Sequence, residues 1–390
     1  MTRRISARCG LAAILGLAAG CGSPDAPAPE PTSVATTPDP GPVLADDCPP
    51  SDSEADRAIA AGSAAIIPLK PGLTLSTTWH RATEGDEVEC LTQIHGIDSK
   101  AIAATANCSL ATGTQGGSRH TCRADMGSAY MYYTGAGDES VVLRGTTMFS
   151  LSTKAFEELK SRGRTRHRFV TVLDGAIVGD LDGSLERDST GTLATIVNDR
   201  TVELPVVRAS GTLRGEAMGK PLETRVSAAI VDDGRFPLVL DYALPDIGSA
   251  GFSVRYGKVS FPTDGKLEHR LAEDQRIDVY GIYFDVNSHQ LRPESDPVLR
   301  EIAAALEHNP SWLVEIGGHT DSTGGAQQNL ELSRLRGESV RAALVVRYGV
   351  AAGRLSARGF GATMPIEAND TPAGRARNRR VELVRREEQP

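Results

Sequence analysis

The chain has 390 residues, 24% of them charged and 40% hydrophobic, with a formal net charge of −8. That balance belongs to ordinary folded domains, excludes a disordered or membrane-embedded chain, and offers no electrostatic footprint for a nucleic-acid partner. The length suffices for two or three units, each with its own core.

The N-terminus, "MTRRISARCGLAAILGLAAGC", places Arg3, Arg4 and Arg8 ahead of a short apolar run from Leu11 to Ala19. The run is too short to span a bilayer. It ends in small residues before Cys21 and resembles a bacterial lipoprotein signal, with cleavage before the cysteine and acylation of Cys21, although Ala18 stands where such signals favour Leu. Residues 1–20 are therefore expected to be a signal peptide and residues 21–51 a lipidated cysteine with a flexible tether. Nine of residues 22–50 are Pro, mixed with Ala, Ser, Thr and Asp, a composition that cannot build a core. Extended at about 3.1 Å per residue, the spacer would reach about 90 Å at most. Gly22 follows the cysteine in place of an Asp retention signal. The resemblance thus implies a lipid anchor in the outer membrane and a body in the periplasm.

Four further cysteines, Cys48, Cys90, Cys108 and Cys122, form an even set in an oxidising compartment and predict two disulfides, with three pairings open. They have no CxxC pair and irregular spacing, so no metal site is expected.

Residues 52–265 alternate short β-type runs such as "RFVTVL", "VELPVVRASGTL" and "FPLVLDYAL" with turn signals. Asp-Gly pairs at 174–175, 182–183, 233–234 and 264–265 are strong turn signals. The pattern predicts a β-rich antiparallel sandwich or barrel. One helix is expected over "STKAFEELKSRG", capped by Ser or Thr and stopped by Gly163. No GxSxG, HExxH, P-loop or GxGxxG motif is present. "DLDGSLERD" has acids at Asp180, Asp182, Glu186 and Asp188, but the spacing fails the EF-hand pattern and reads as a solvated hairpin turn. Lys160, Arg162, Arg164, Arg166 and Arg168 at alternate positions read as a helix end followed by an exposed edge strand protected by its charges, rather than as a polyanion site.

From about residue 270 the pattern changes to alternating strands and helices. "VYGIYFDV" and "WLVEIGGH" read as strands. "PESDPVLREIAAALEHNP" spaces Leu299, Ile302, Ala303 and Leu306 along one helix face. A long helix over "QQNLELSRLRGESVRAALVVRYG" is expected to turn Leu332, Leu335, Ala343 and Val346 inward, with Gly349 as its C-cap. Strands at "RLSARGFGA" and "NRRVELVR" complete a β-α-β-α-β-β layout, with two helices on one face of a mixed sheet. Asn329, Ser333 and Arg336, spaced 0, 4 and 7, fall within about 60° on the long helix. A Gly-rich loop folding back over them is expected to bring Asp321 alongside Arg336.

Five blocks, "IYFDVNSHQLRPES", "GGHTDSTG", "NLELSRLRGESV", "GFGATMPI" and "GRARNRRVEL", resemble in order and spacing the OmpA-like C-terminal domain, the peptidoglycan-binding module of the OmpA, MotB and peptidoglycan-associated lipoprotein family. The resemblance spans about residues 276–386 and implies an α+β chain in which 52–265 is a β-rich domain and 270–386 an OmpA-like domain. It also implies that Asp321 and Arg336 clamp the ammonium and carboxylate of diaminopimelate, with Thr320, Asn329, Leu332, Ser333, Phe284 and Asp285 completing the site. A zwitterion suits this pair, since Arg can take a carboxylate by two parallel hydrogen bonds while Asp accepts from an ammonium. Arg375, Arg377, Arg379 and Arg380 are assigned to architecture. Residues 276–390 hold fifteen Arg, no Lys and fifteen acids, so recognition is expected to be local. Gly337 stands where the family usually has Ala, at a cost of about 1 kcal/mol in a helix interior.

The reading is a non-catalytic lipoprotein without a cofactor, which binds peptidoglycan and tethers the outer membrane to it, with room for an unidentified envelope protein at the β domain. The alternative is a wall or glycan hydrolase with its catalytic site in residues 52–265. A flagellar stator role is disfavoured, because it needs a membrane helix bearing an ionisable residue.

Overall fold

The computed structural model describes residues 43–45, 48, 53–80, 87–110, 113–136, 141–173, 176–198, 200–247, 252–262, 266–279, 281–370 and 372–386. The signal, Cys21, most of the tether and the Asp-Gly pairs at 174–175 and 264–265 lie outside them.

The first unit begins with β1 (Val43–Ala45), α1 (Ser53–Ser63), β2 (Thr74–His80), β3 (Glu87–Ile97), β4 (Ala101–Leu110) and β5 (Gly113–Cys122). It continues through α2 (Arg123–Ser128), β6 (Met131–Ala136), β7 (Val141–Arg144), β8 (Thr146–Thr147), α3 (Thr153–Arg162) and β9 (Arg164–Leu173). It ends with β10 (Ala176–Val197), β11 (Arg200–Ala217), β12 (Lys220–Val231), β13 (Val239–Leu244) and β14 (Phe252–Ser260). The fourteen strands form one large, mainly antiparallel sheet. Its long meander from β10 to β14 closes on itself, because Ile196 and Val197 of β10 pair with Lys258 and Val259 of β14. In β12 the buried residues Thr224, Val226 and Ala228 alternate with exposed Arg225 and Ser227, the period-two signature of a strand buried on one side, and from Ala228 to Val231 the strand is buried throughout. Phe156 and Leu159 of α3 add to this core. The sequence prediction for α3 holds in detail. Ser152 Oγ accepts from Ala155 N at 3.1 Å, and Gly163 turns the chain at φ 74°.

Three expectations are corrected here. Asp182-Gly183 lies in the middle of β10, paired on both sides, and is not a turn. Glycine serves there for close approach, since an added Cβ would sit 2.2 Å from the Thr212 carbonyl oxygen. The "DLDGSLERD" acids are therefore strand residues: Arg168 Nε donates to Asp180 at 2.6 Å and Arg166 Nη2 to Asp182 at 2.9 Å. The strand carrying those arginines is not an edge, because β9 pairs with β10 on one side and β6 on the other. The tether also ends earlier than expected, because Val43–Ala45 pair with β7 and Cys48 is bonded to Cys122. The second disulfide joins Cys90 of β3 to Cys108 of β4, which face each other in register. Both staple the first unit only.

The second unit comprises α4 (Lys266–Asp274), β15 (Arg276–Val279), α5 (Asp296–His308), β16 (Leu313–His319), α6 (Ala326–Tyr348), β17 (Leu355–Gly361), α7 (Pro372–Asn378) and β18 (Val381–Arg386). Its sheet runs β15-β18-β16-β17, with β16 and β17 parallel and the other neighbours antiparallel. The layout matches expectation with α4 added before the first strand and α7 before the last. The first strand, Arg276–Val279, lies upstream of the predicted "VYGIYFDV" and shares only Val279 with it. It ends at Val279, and residues 284–291 form a loop closed by the bridge between Phe284 and Leu291.

Of the four residues expected to face inward on the long helix, Ala343 is buried and Leu332 and Leu335 are half-buried, but the helix packs chiefly with another face. Its buried positions are Asn329, Ser333, Gly337, Val340, Ala343 and Leu344, whereas Val346 is 82% exposed. Small residues on both surfaces explain this choice. A Cβ on Gly318 would lie 2.0 Å from Ser333 O, and one on Gly359 would lie 2.5 Å from Arg334 N. Gly337 belongs to the same contact, 3.1 Å from Ile316 O to an added Cβ, so its low helix propensity is exchanged for backbone proximity.

Candidate functional site

β16 delivers the chain to the site. After its last residue, Thr320 is pinned by its N–H to Gly361 O at 3.0 Å, and its side chain is buried. The next residue, Asp321, begins a tight loop in which Thr323 N donates to Asp321 Oδ1 at 2.9 Å and Gly324 takes φ 89°. Asn329, one turn into α6, closes this loop from the other side. Its Nδ2 reaches Thr323 O at 3.0 Å and Asp321 O at 3.3 Å. Asn329 therefore acts on the backbone that presents Asp321.

Asp321 is largely buried, and its second oxygen accepts from Arg379 Nη1 at 2.7 Å. Burial pushes the carboxyl pKa up, but the Arg379 hydrogen bond and charge, together with Thr323, outweigh it and hold the group below the ordinary Asp value. Arg379 is the residue that sequence reasoning misplaced. It stands in the "NRR" block assigned to architecture, yet it holds the carboxylate of the site. Its neighbours do fit that assignment. Asn378 is fully buried and accepts from Ile366 N and Glu367 N, while Arg380 donates to Asp278 at 2.7 Å. Asn378 Nδ2 also reaches Asn369 Oδ1, which accepts from Ser322 N, so this block supports the loop carrying Asp321 from behind.

Arg336 lies two turns beyond Asn329 on α6. Its guanidinium stacks 4.9 Å from the centre of the Phe284 ring, and its Nε donates to Ser288 O at 3.0 Å. The loop supplying both partners is internally fixed: Asp285 N bonds Gln290 O, and Ser288 N bonds Asp285 O. Of the predicted site residues, Asp321, Arg336, Phe284, Asp285, Thr320 and Asn329 thus lie on the first half of α6 and on two loops that contact it. Leu332 is half-buried on the same helix. Ser333 is fully buried; its hydroxyl accepts from Gly361 N at 2.8 Å and donates to Leu330 O at 2.8 Å. That hydroxyl joins helix to strand.

Residues 283–379 match the OmpA family. This C-terminal domain belongs to the OmpA family. Omp38 of Acinetobacter baumannii is 40% identical over 111 residues, 28% of this chain and 31% of its own length. The probable lipoprotein YiaD of Escherichia coli is 41% identical over 103 residues, 26% of this chain and 47% of its own length. The peptidoglycan-binding protein ArfA of Mycobacterium bovis is 41% identical over 103 residues, 26% of this chain and 31% of its own length. The chain thus spans less than half the length of each. Among the described residues no helix is long and apolar enough to cross a membrane.

Proposed function

We propose that this protein is a non-catalytic lipoprotein of the cell envelope that binds peptidoglycan non-covalently through diaminopimelate and, lipidated at Cys21, tethers the outer membrane to the wall. The observation that carries the reading is the separate support of its two charges. Asp321 is held ionised by Arg379 and Thr323, and Arg336 is held by Phe284 and Ser288. A carboxylate offers about four acceptor positions, so Asp321 retains capacity for a ligand ammonium beside these two bonds. The guanidinium fork suits a planar carboxylate. Thr320, Asn329, Leu332 and Ser333 shape the loop and helix that present the pair, and Phe284 and Asp285 belong to the wall beside Arg336. The OmpA family match of residues 283–379 and their likeness to ArfA, a peptidoglycan-binding protein, support the ligand class.

The test is retention on purified sacculi by the wild type, Asp321→Ala and Arg336→Ala. Both variants should wash off; retention equal to wild type by both defeats the proposal. The anchor is tested by metabolic palmitate labelling, which should vanish in Cys21→Ser.

A further inference from the structure

The loop that holds Arg336 has a base as well as a tip, and the base is gripped by the other domain. At the tip are Phe284 and Ser288. At the base, Arg292 N donates to Tyr283 O at 2.9 Å, and Ser295 Oγ accepts from Tyr283 N at 2.8 Å, closing the loop on itself. Arg292 and Glu294 face the β domain and are 2% exposed in their side chains, an ion pair at 3.2 Å. Two strands of the β domain meet them. Asn107 of β4 donates its Nδ2 to Glu294 Oε1 at 2.9 Å and receives Arg292 Nη2 on its carbonyl at 3.1 Å. Gln93 of β3, itself 3% exposed, donates to Glu294 O at 2.9 Å and to Thr74 Oγ1 at 2.7 Å. Ser260 at the end of β14 bonds the Tyr283 hydroxyl at 3.0 Å.

A buried ion pair needs its remaining donors and acceptors satisfied, or the desolvation of two charges goes uncompensated. Asn107 gives one hydrogen bond to each ion, its side-chain amide donating to Glu294 Oε1 and its main-chain carbonyl accepting from Arg292 Nη2, while Gln93 donates to the Glu294 main-chain oxygen, so the β domain helps to seat the segment 283–295 in its observed conformation. Gln93 and Asn107 lie on the strands that the Cys90–Cys108 disulfide joins, and Asn107 adjoins Cys108.

We infer that Asn107 and Gln93 of the β domain are positioning residues for the ligand site, acting through Arg292 and Glu294 on the loop that holds Arg336. This rests on the proposed peptidoglycan function, and it gives the β domain a role in that function: it pre-sets the cationic half of the clamp. A pre-organised guanidinium spends no ordering free energy on binding, so loosening it weakens affinity without touching the ligand.

The experiment uses the full chain and a soluble muropeptide bearing a meso-diaminopimelate stem, with Asn107→Ala and Gln93→Ala as independent variants. Two quantities are read: muropeptide affinity, and amide hydrogen exchange at Asp285, Ser288 and Gln290 against that at Ile316 and Leu383 in the domain core. Each variant should bind about threefold to tenfold more weakly, as loss of one well-placed hydrogen bond implies. Exchange should rise in the 285–290 loop while the core amides stay unchanged. A purely structural role would raise exchange in core and loop together. Unchanged affinity in both variants, or an unchanged loop, overturns the inference. If the wild type itself ignores the muropeptide, the functional reading fails on its own, and exchange in the loop still decides whether the β domain grips it.

Discussion

Arg379 donates to Asp321 at 2.7 Å, joining residues 58 apart in the chain. The bond keeps a largely buried carboxylate charged, against burial that pushes its pKa upward. In Arg379→Ala burial is left to dominate, and the Asp321 pKa rises. A carboxylate with a depressed pKa stays ionised until the pH falls through that low value, so wild-type muropeptide binding should persist well into the acid range. The variant should lose affinity at a higher pH than the wild type does, read from calorimetric titrations between about pH 7 and pH 4. Superimposable profiles would show that Arg379 does not set the ionisation of Asp321.

Arg336 combines a ring stack on Phe284 with a directional Nε bond to Ser288 O. Lysine keeps the charge but has neither the planar fork nor an Nε–H at that position. Arg336→Lys should therefore recover little of the affinity lost in Arg336→Ala, which should cost about 2 to 5 kcal/mol. A lysine variant that binds as tightly as wild type would reduce Arg336 to a point charge.

Helix α6 rests on strand backbone at Gly318, where an added methyl would meet Ser333 O at 2.0 Å. Neither backbone can yield without separating the helix from the sheet. Gly318→Ala should destabilise the C-terminal domain by about 2 kcal/mol or more in denaturant unfolding. Gly353→Ala, with open space around the added atom, should stay within about 0.5 kcal/mol of wild type. Similar losses at both positions would contradict the close-packing account.

His167 is buried in the β domain, with Nε2 at 2.8 Å from the Tyr242 hydroxyl. Burial pushes its pKa down from 6.5 to about 4, against the weaker opposing pull of Asp182. The folded state thus favours the neutral ring. Its contribution is complete above pH 6.5 and is lost as the pH falls from there toward about 4, amounting to about 3 kcal/mol across that window. Urea unfolding of the wild type should show this decline, and His167→Gln should show a flatter one. Equal slopes would mean that His167 charges freely in the folded protein.

The C-terminal layout was legible because its helices and strands each follow their own period, and because five motif blocks stand in order. What misled was the assumption that an apolar face marks the buried one. In α6 the sheet selects Asn329, Ser333 and Gly337, since contact at backbone distance excludes Leu and leaves Val346 in solvent. In the first unit, Asp182-Gly183 has turn chemistry, but pairing on both sides of β10 overrides it. The disulfide pairing depends on which strands adjoin, which cysteine spacing does not encode. Arg379 was hidden for a related reason: it lies 58 residues beyond Asp321, across α7 and the 361–370 segment, and meets it in a long-range contact that no local pattern announces.

The central claim concerns a ligand carrying both charges on one side chain. It is tested most directly by comparing the affinity of the full chain for two soluble muropeptides that differ only in the third stem residue, meso-diaminopimelate or L-lysine. Lysine retains the ammonium for Asp321 and lacks the carboxylate for Arg336. The diaminopimelate form should bind at least about thirtyfold more tightly, corresponding to loss of a charged partner worth about 2 kcal/mol. Equal affinity for the two would contradict the account.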